Sequence, residues 1–315
     1  MKIFFVASGN HGAISPVVGN QAEALMSEGV EIEWYLLKGK GFKGYLKNVK
    51  PLRNFLKEHK YDAIHAHYSL SAFVASLAGA KPLVVSLMGS DVKAAGWYKF
   101  IIRLFATFGG WKSIIVKSND MYRSLGIKRA IIIPNGVNME RFKPMSIVDS
   151  RKYLGWDPKK KHILFPANAS RPEKDFALAK EAVALLQSDF RLMIEDLRFD
   201  GVELHAFENT PNEETPYWYN AADVVLMTSK WEGSPNAIKE AMACSRPIVT
   251  TKVGDVAERM GGVEGTLVAQ SRDPQELAEL LKFALTYSST KGRERIIEDG
   301  LDVHDVNMKL IALYK

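Results

Sequence analysis

Glu232-Gly-Ser-Pro-Asn-Ala-Ile-Lys-Glu240, continued by Ala241-Met-Ala-Cys-Ser-Arg-Pro-Ile-Val249, sets two glutamates on either side of a helix start. Ser234 is a strong N-cap residue, Pro235 suits the first helical position, and Ala237 to Met242 favour helix. A helix is therefore expected to open at Ser234, with its unpaired amides facing Gly233. Those amides and the aligned peptide dipoles attract an anion, and a diphosphate fits best, held by Gly233, Ser234, Pro235 and Asn236. Helical side chains lean toward the amino end, so Glu240 is expected to point back along such a ligand and accept both hydroxyls of a ribose. Glu232, in the preceding loop, is free to approach what lies beyond the phosphates. Together these residues read as a nucleotide-sugar site; the plain alternative is a capped surface helix with two solvated acids.

Outward from this stretch, strand-like and helix-like segments alternate along the whole chain. Ile3 to Ala7, Ile32 to Leu37, Ala63 to His65, Leu83 to Leu87, Ser113 to Lys117 and Ala130 to Ile133 read as strands, separated by helical patterns such as Pro16 to Glu28, Pro51 to Lys60 and Ser69 to Ala78. A second set runs through Ile163 to Pro166, Arg191 to Glu195, Val202 to Ala206, Val224 to Thr228, Ile248 to Thr250 and Gly265 to Val268, with helices near Phe176 to Leu186, Thr215 to Ala222, Asn236 to Cys244 and Pro274 to Tyr287. This rhythm predicts an α/β chain of two Rossmann-like, doubly wound parallel sheets, residues 1–144 and 145–295, joined near Phe142 to Ser150. Ligands of such sheets bind beyond the carboxyl ends of the strands, which places the expected site in a cleft between the two lobes.

Composition agrees with a globular, two-domain protein: 315 residues, 47% of them hydrophobic, are enough for two cores. The single cysteine, Cys244, cannot form an internal disulfide and sits on an apolar helix, where packing is its expected role. The opening Met1-Lys-Ile-Phe-Phe-Val-Ala7 is too short for a signal peptide and reads as a first strand. No apolar run approaches the roughly 20 residues that cross a bilayer. A cytoplasmic protein, soluble or peripheral at the inner face of the membrane, is the expectation.

Charge divides unevenly. Residues 1–145 hold 20 basic and 9 acidic side chains, a net of +11, whereas the remainder holds 22 and 27, a net of −5. Two stretches of the basic half mix cations with aromatic and aliphatic residues, Gly41 to Lys60 and Gly96 to Lys112. Each suits either an anionic membrane surface or ordinary amphipathic packing on the sheet. No nucleic-acid-binding signature accompanies the charge, so nucleic acid is not an expected partner.

The glutamate pair with Gly-Ser-Pro-Asn inside it and Glu-Ala-Met-Ala after it resembles the donor-site signature of family-four retaining glycosyltransferases of the two-domain GT-B fold. The resemblance extends in the family's order through Asp62-Ala-Ile-His-Ala-His67, Val84-Val-Ser-Leu-Met-Gly-Ser-Asp91, Ile133-Pro-Asn-Gly-Val-Asn138, Arg171-Pro-Glu-Lys174 and Ala221-Ala-Asp-Val-Val-Leu226. It implies an enzyme that moves a sugar from a nucleoside diphosphate to a glycan or lipid-linked acceptor, in surface polysaccharide assembly, with no metal and no other cofactor. It also implies that residues 296–315 cross back onto the first lobe.

Site roles follow from the match. Lys174 and Arg171, after the strand Ile163 to Pro166, resemble the cations that hold the leaving diphosphate, although the family spaces its arginine five residues before the lysine rather than three. Glu232 is expected on the transferred sugar and Glu240 on the ribose. Gly9-Asn-His-Gly12 resembles the family's short glycine turn, with Gly12 nearest the phosphates. His65 and His67 match a His-x-His motif on the acceptor side and read as satisfied interior histidines rather than metal ligands. Asp91 either faces the ligand or caps the next turn. Met88 departs from the pattern, which has histidine there; a thioether neither donates a hydrogen bond nor carries charge, which implies altered donor preference. Two other readings stay open, a degenerate homologue that binds a nucleotide sugar without catalysis and a nucleotide-sugar epimerase.

Overall fold

A computed structural model describes residues 1–10, 14–93, 96–192 and 201–315. Its eleven described strands are β1 (Lys2–Ser8), β2 (Glu31–Leu37), β3 (Ala63–His67), β4 (Leu83–Ser86), β5 (Trp111–Val116), β6 (Ile131–Ile132), β7 (Lys161–Phe165), β8 (Val202–Ala206), β9 (Val224–Met227), β10 (Ile248–Thr251) and β11 (Thr266–Ala269). They form two sheets, ordered β2-β1-β3-β4-β5-β6 and β11-β10-β9-β7-β8, and every strand pair is parallel. This is the α/β, doubly wound architecture that the alternation predicts.

Parallel strands covered by helices on both faces must be apolar at every position, not every second one. In β1, Phe4 and Val6 enter one core cluster while Ile3, Phe5 and Ala7 enter another. In β9, Val225 and Met227 face one cluster and Val224 and Leu226 the opposite one. Each fully buried side chain of this size contributes roughly 1.5–3 kcal/mol, so the central strands anchor their sheets.

The chain divides into two compact units, Met1–Gly136 with Val303–Lys315, and Val137–Asp302. The join is earlier than Phe142 to Ser150, because Val137, Met139 and Phe142 are already buried in the second unit's core. The last helix, Val303–Tyr314, belongs to the first unit, where Val306, Leu310 and Tyr314 pack with Ile3, Phe5 and Val18.

Several segments differ from expectation. Arg191 and Leu192 end a 17-residue helix, Phe176–Leu192, rather than opening a strand, and the rest of that expected strand lies outside the described residues. Short helices at Ile147–Leu154 and Gly292–Glu298 carry too little apolar periodicity to announce themselves. In the Gly41 to Lys60 stretch, Tyr45 and Leu52 are buried and Phe55 and Leu56 lean on the first core, so most of its apolar face packs inward. The helix Gly96–Phe108 divides its apolar residues instead. Ile102 and Ala106 are buried, while Trp97, Phe100 and Phe108 are 68%, 63% and 79% exposed. No described helix is long and apolar enough to cross a membrane.

Candidate functional site

In the second sheet the strand order reverses between β7 and β9, the switch point at which a doubly wound sheet opens for a ligand. The loops leaving those two strands carry Arg171, Lys174 and Glu232. After β7 the chain makes a short 3-10 turn, Pro172–Lys174, and passes through Asp175 in the left-handed region at φ 56° before the next helix begins. Thr228, buried just past β9, donates its hydroxyl to the carbonyls of Lys174 (3.1 Å) and Asp175 (2.8 Å). Arg272 grips both loops, bonding Asp175 Oδ2 at 2.6 Å and the carbonyls of Ser229 and Thr228 at 2.9 and 3.0 Å. The backbone of Lys230 adds a bond to the carbonyl of Glu173 at 2.8 Å. So clamped, Lys174 Nζ meets Glu232 Oε1 in a direct ion pair, and Ser229 Oγ donates to the same oxygen at 2.8 Å.

Arg171 is not brought to this pair. Its guanidinium bonds Glu173 at 2.6 and 2.8 Å, and its side chain is 56% exposed. The short spacing to Lys174 accounts for this, because Pro172 and Glu173 turn the chain within a single 3-10 turn.

The helix after β9 runs Asn236–Ala243, and its start corrects one expectation. Pro235, extended at ψ 122°, occupies the cap position, and no side chain caps the helix. Ser234 instead receives a hydrogen bond from Lys239 Nζ at 3.3 Å, because a charged ammonium reaching back along the helix outcompetes a backbone amide for its hydroxyl. Lys239 is 1% exposed, and burial lowers its pKa to about 8 against the upward pull of Asp255 and Glu240. The turn before the helix is braced from the next loop: Gly254, at φ +53°, lies so near that a Cβ there would stand 2.5 Å from the carbonyl oxygen of Gly233.

Glu240 lies one turn inside this helix, and its Oε2 accepts a hydrogen bond from the buried Tyr219 hydroxyl at 2.8 Å. Burial raises the carboxyl pKa, opposed by the Tyr219 bond and by the charges of Lys239 and Arg141. The phenol fixes the rotamer while the carboxylate keeps further lone pairs for a ligand diol. Sequence reasoning missed Lys239 and Tyr219. Lys239 had a signal, its position five residues after Ser234 in the helix that follows; Tyr219, on another element, had none.

The first unit treats its singled-out residues differently. Asp91 is fully buried and holds its own fold: Oδ1 accepts from Ser69 N (3.2 Å) and Oγ (2.5 Å), and Oδ2 accepts from Met88 N (2.7 Å). These bonds match the capping alternative. Burial pushes the carboxyl up to about 7 against those three bonds. Met88 leans on the core, and its carbonyl accepts the Asp91 N–H at 3.0 Å. His65 sits between Tyr314 Oη and Ser86 Oγ, both at 2.8 Å, as a satisfied interior histidine. His67 is equally buried, and desolvation with the nearby Lys117 charge lowers it to about 3. Asn10 fastens its turn by paired bonds to Gly39, at 2.8 and 2.7 Å. Gly12 lies outside the described residues.

Comparison with known proteins agrees with this geometry. Residues 17–141 match the family described as Glycosyltransferase Family 4, and residues 160–286 match Glycosyl transferases group 1. The lipopolysaccharide core biosynthesis mannosyltransferase LpsB of Rhizobium meliloti is 27% identical over 205 residues, 58% of this chain and 56% of its own length. The UDP-Gal:alpha-D-GlcNAc-diphosphoundecaprenol alpha-1,3-galactosyltransferase of Escherichia coli is 27% identical over 248 residues, 66% of this chain and 62% of its own. The chain thus spans little more than half the length of these relatives. The solved structure of Anabaena HepE in complex with UDP superposes with a TM-score of 0.74 at 19% identity, covering 99% of each chain. With one family covering most of the first unit and the other most of the second, the chain belongs to the family-four, group 1 glycosyltransferases of the GT-B fold.

Proposed function

We propose that this glycosyltransferase transfers a hexose from a nucleoside diphosphate to a glycan or lipid-linked acceptor in surface polysaccharide or glycolipid assembly, with retention of configuration. The observation that carries the reading is the clamped Lys174–Glu232 pair at the switch point, set beside the helix that bears Glu240. Glu240 holds the ribose. The amides around Gly233 to Asn236 and the Lys174 ammonium hold the diphosphate, with Arg171 swinging in from its exposed pairing with Glu173. Glu232 contacts the transferred sugar, and the apolar thioether that Met88 puts in place of the family's histidine favours a 6-deoxy or otherwise less polar donor.

In the transfer, the bond from the anomeric carbon to the leaving phosphate oxygen breaks as the acceptor oxygen bonds on the same face. The acceptor proton passes to that phosphate oxygen. Charge builds on the leaving diphosphate and on an oxocarbenium-like sugar, and Lys174 stabilises the former as fixed positive charge without a metal. UDP in HepE and the named donor and diphosphoundecaprenol acceptor of the Escherichia coli relative support a nucleotide donor and a lipid-linked acceptor. The exposed face of Trp97, Phe100, Leu104 and Phe108, on the more basic half of the chain, supports docking on an anionic membrane at the cytoplasmic side.

The test is incubation with a panel of nucleotide sugars, scoring free nucleoside diphosphate with and without lipid extract. Acceptor-dependent release, with the donor's anomeric configuration kept in the product, is expected. Binding without turnover would instead indicate a non-catalytic homologue, and conversion of the donor without any acceptor would indicate an epimerase. Clear preference for a 6-hydroxylated donor over its 6-deoxy counterpart removes the role given to Met88.

A further inference from the structure

On one face of the β7–β8 pairing in the second sheet, three metal-ligating side chains converge. β7 and β8 pair in parallel with His162 beside Glu203 and Leu164 beside His205, so Glu203 and His205 share one face of β8 and meet His162 across the pairing. His162 Nδ1 lies 2.9 Å from His205 Nε2, and Glu203 Oε2 lies 3.7 Å from the first and 3.6 Å from the second. Tetrahedral zinc with bonds of about 2.0–2.1 Å has ligand atoms about 3.3–3.4 Å apart, which this triangle meets within a few tenths of an ångström.

The surroundings prepare all three groups as ligands. His162 Nε2 bonds the carbonyl oxygen of Asp157 at 2.7 Å; a carbonyl only accepts, so Nε2 carries the proton and Nδ1 of the neutral ring presents a bare lone pair to the triangle. A backbone carbonyl behind a coordinating imidazole is the usual way such a ligand is oriented. Lys160 Nζ holds the other oxygen of Glu203 at 2.6 Å, which leaves Oε2 turned to the histidines. Trp156 stacks on the His205 ring at 3.7 Å and shields that side, while Glu203 and His205 remain partly open to solvent. A direct imidazole-to-imidazole bond satisfies two of these atoms; a cation satisfies all three.

We propose that His162, Glu203 and His205 form a binding site for a divalent transition-metal ion, zinc above all, that pins the edge strand β8 to β7. The site lies on one face of the β7–β8 pairing, apart from the loops that carry Lys174 and Glu232, so the ion has a structural role and takes no part in transfer. Imidazole nitrogen with one carboxylate oxygen suits zinc, cobalt or nickel far better than calcium or magnesium.

The test uses the full chain without a histidine tag, stripped with chelator and titrated with zinc or cobalt(II). Expected are one tightly held equivalent after gel filtration, a rise in Tm with zinc, an intense tetrahedral cobalt absorption band, and cobalt quenching of tryptophan fluorescence that is largely lost in Trp156→Phe. Glu203→Gln, a mild change at a partly exposed position, and His205→Asn should each weaken zinc binding at least about tenfold. UDP binding by the same samples reports that each variant is folded. Failure of the wild-type chain to retain zinc at micromolar concentration, or retention unchanged in both folded variants, overturns the proposal.

Discussion

Asp91 and Glu232 both follow a strand of a doubly wound parallel sheet, and both come from motifs that point to a ligand. Asp91 uses both oxygens on Ser69 and Met88 of its own unit and is wholly buried. Glu232 is partly exposed, paired with a lysine from the neighbouring loop, at the point where its sheet's strand order reverses. The two units share a strand pattern but assign the polar groups at their strand ends to different tasks. In the first, they hold loops to the core; in the second, they are clamped from behind by Arg272, Thr228 and Ser229 so that their charges remain available. A buried carboxylate fully bonded within the protein reports stability, whereas a braced and partly open ion pair reports binding.

That contrast can be broken most severely at Lys174. Lys174→Ala should lower the transfer rate roughly a hundredfold or more, by analogy with removal of a charge-stabilising donor, with a smaller effect on donor affinity. Single-turnover rates against donor concentration separate the two, and an unchanged rate would end the leaving-group role. Glu240→Ala should weaken nucleotide binding by roughly ten- to a hundredfold, the value of a hydrogen bond to a charged group, and should also lower Tm because the buried Tyr219 hydroxyl loses its acceptor. Calorimetric titration with UDP and GDP checks this.

Asp91→Ala tests the other side. It leaves Ser69 and the Met88 amide without their acceptor, and a loss of roughly 1–3 kcal/mol in stability is expected from denaturant unfolding, with nucleotide affinity nearly unchanged. A selective loss of nucleotide affinity would mean that the capping role is incomplete. The smallest effect concerns Lys239. Its folded pKa of about 8 lies below the ordinary 10.5, so the unfolded chain binds the extra proton between those values. The charged lysine therefore destabilises the fold below pH 8, and that cost is relieved as pH rises from 8 toward 10.5. Over the same rise the site loses a positive charge, so diphosphate affinity should fall a few-fold, and Lys239→Met should flatten the profile.

The sheets were legible because strands buried on both faces give unbroken apolar runs, as in Ile3 to Ala7 and Val224 to Met227. The same property misled at Arg191 and Leu192, which close a long helix although the apolar sequence there suggests a strand. The placement of Lys174 and Glu232 at the strand ends and of Glu240 on the following helix was also readable from local spacing. Their partners were not. The Lys174–Glu232 pair spans 58 residues and Tyr219 lies 21 from Glu240, separations that no periodicity encodes. Ser234 failed for a nearer reason, since propensity ranks it as a cap without weighing the lysine one turn further along.

The membership of Val303–Lys315 in the first unit has a bearing on biogenesis. A ribosome delivers the first unit's six strands early but withholds Tyr314, the hydroxyl partner of buried His65, until all of the second unit has been made. The second unit is contiguous and can close first, so nascent chains should acquire protease resistance there before the leading half gains it, and a stop codon just before Val303 should harm the first unit most.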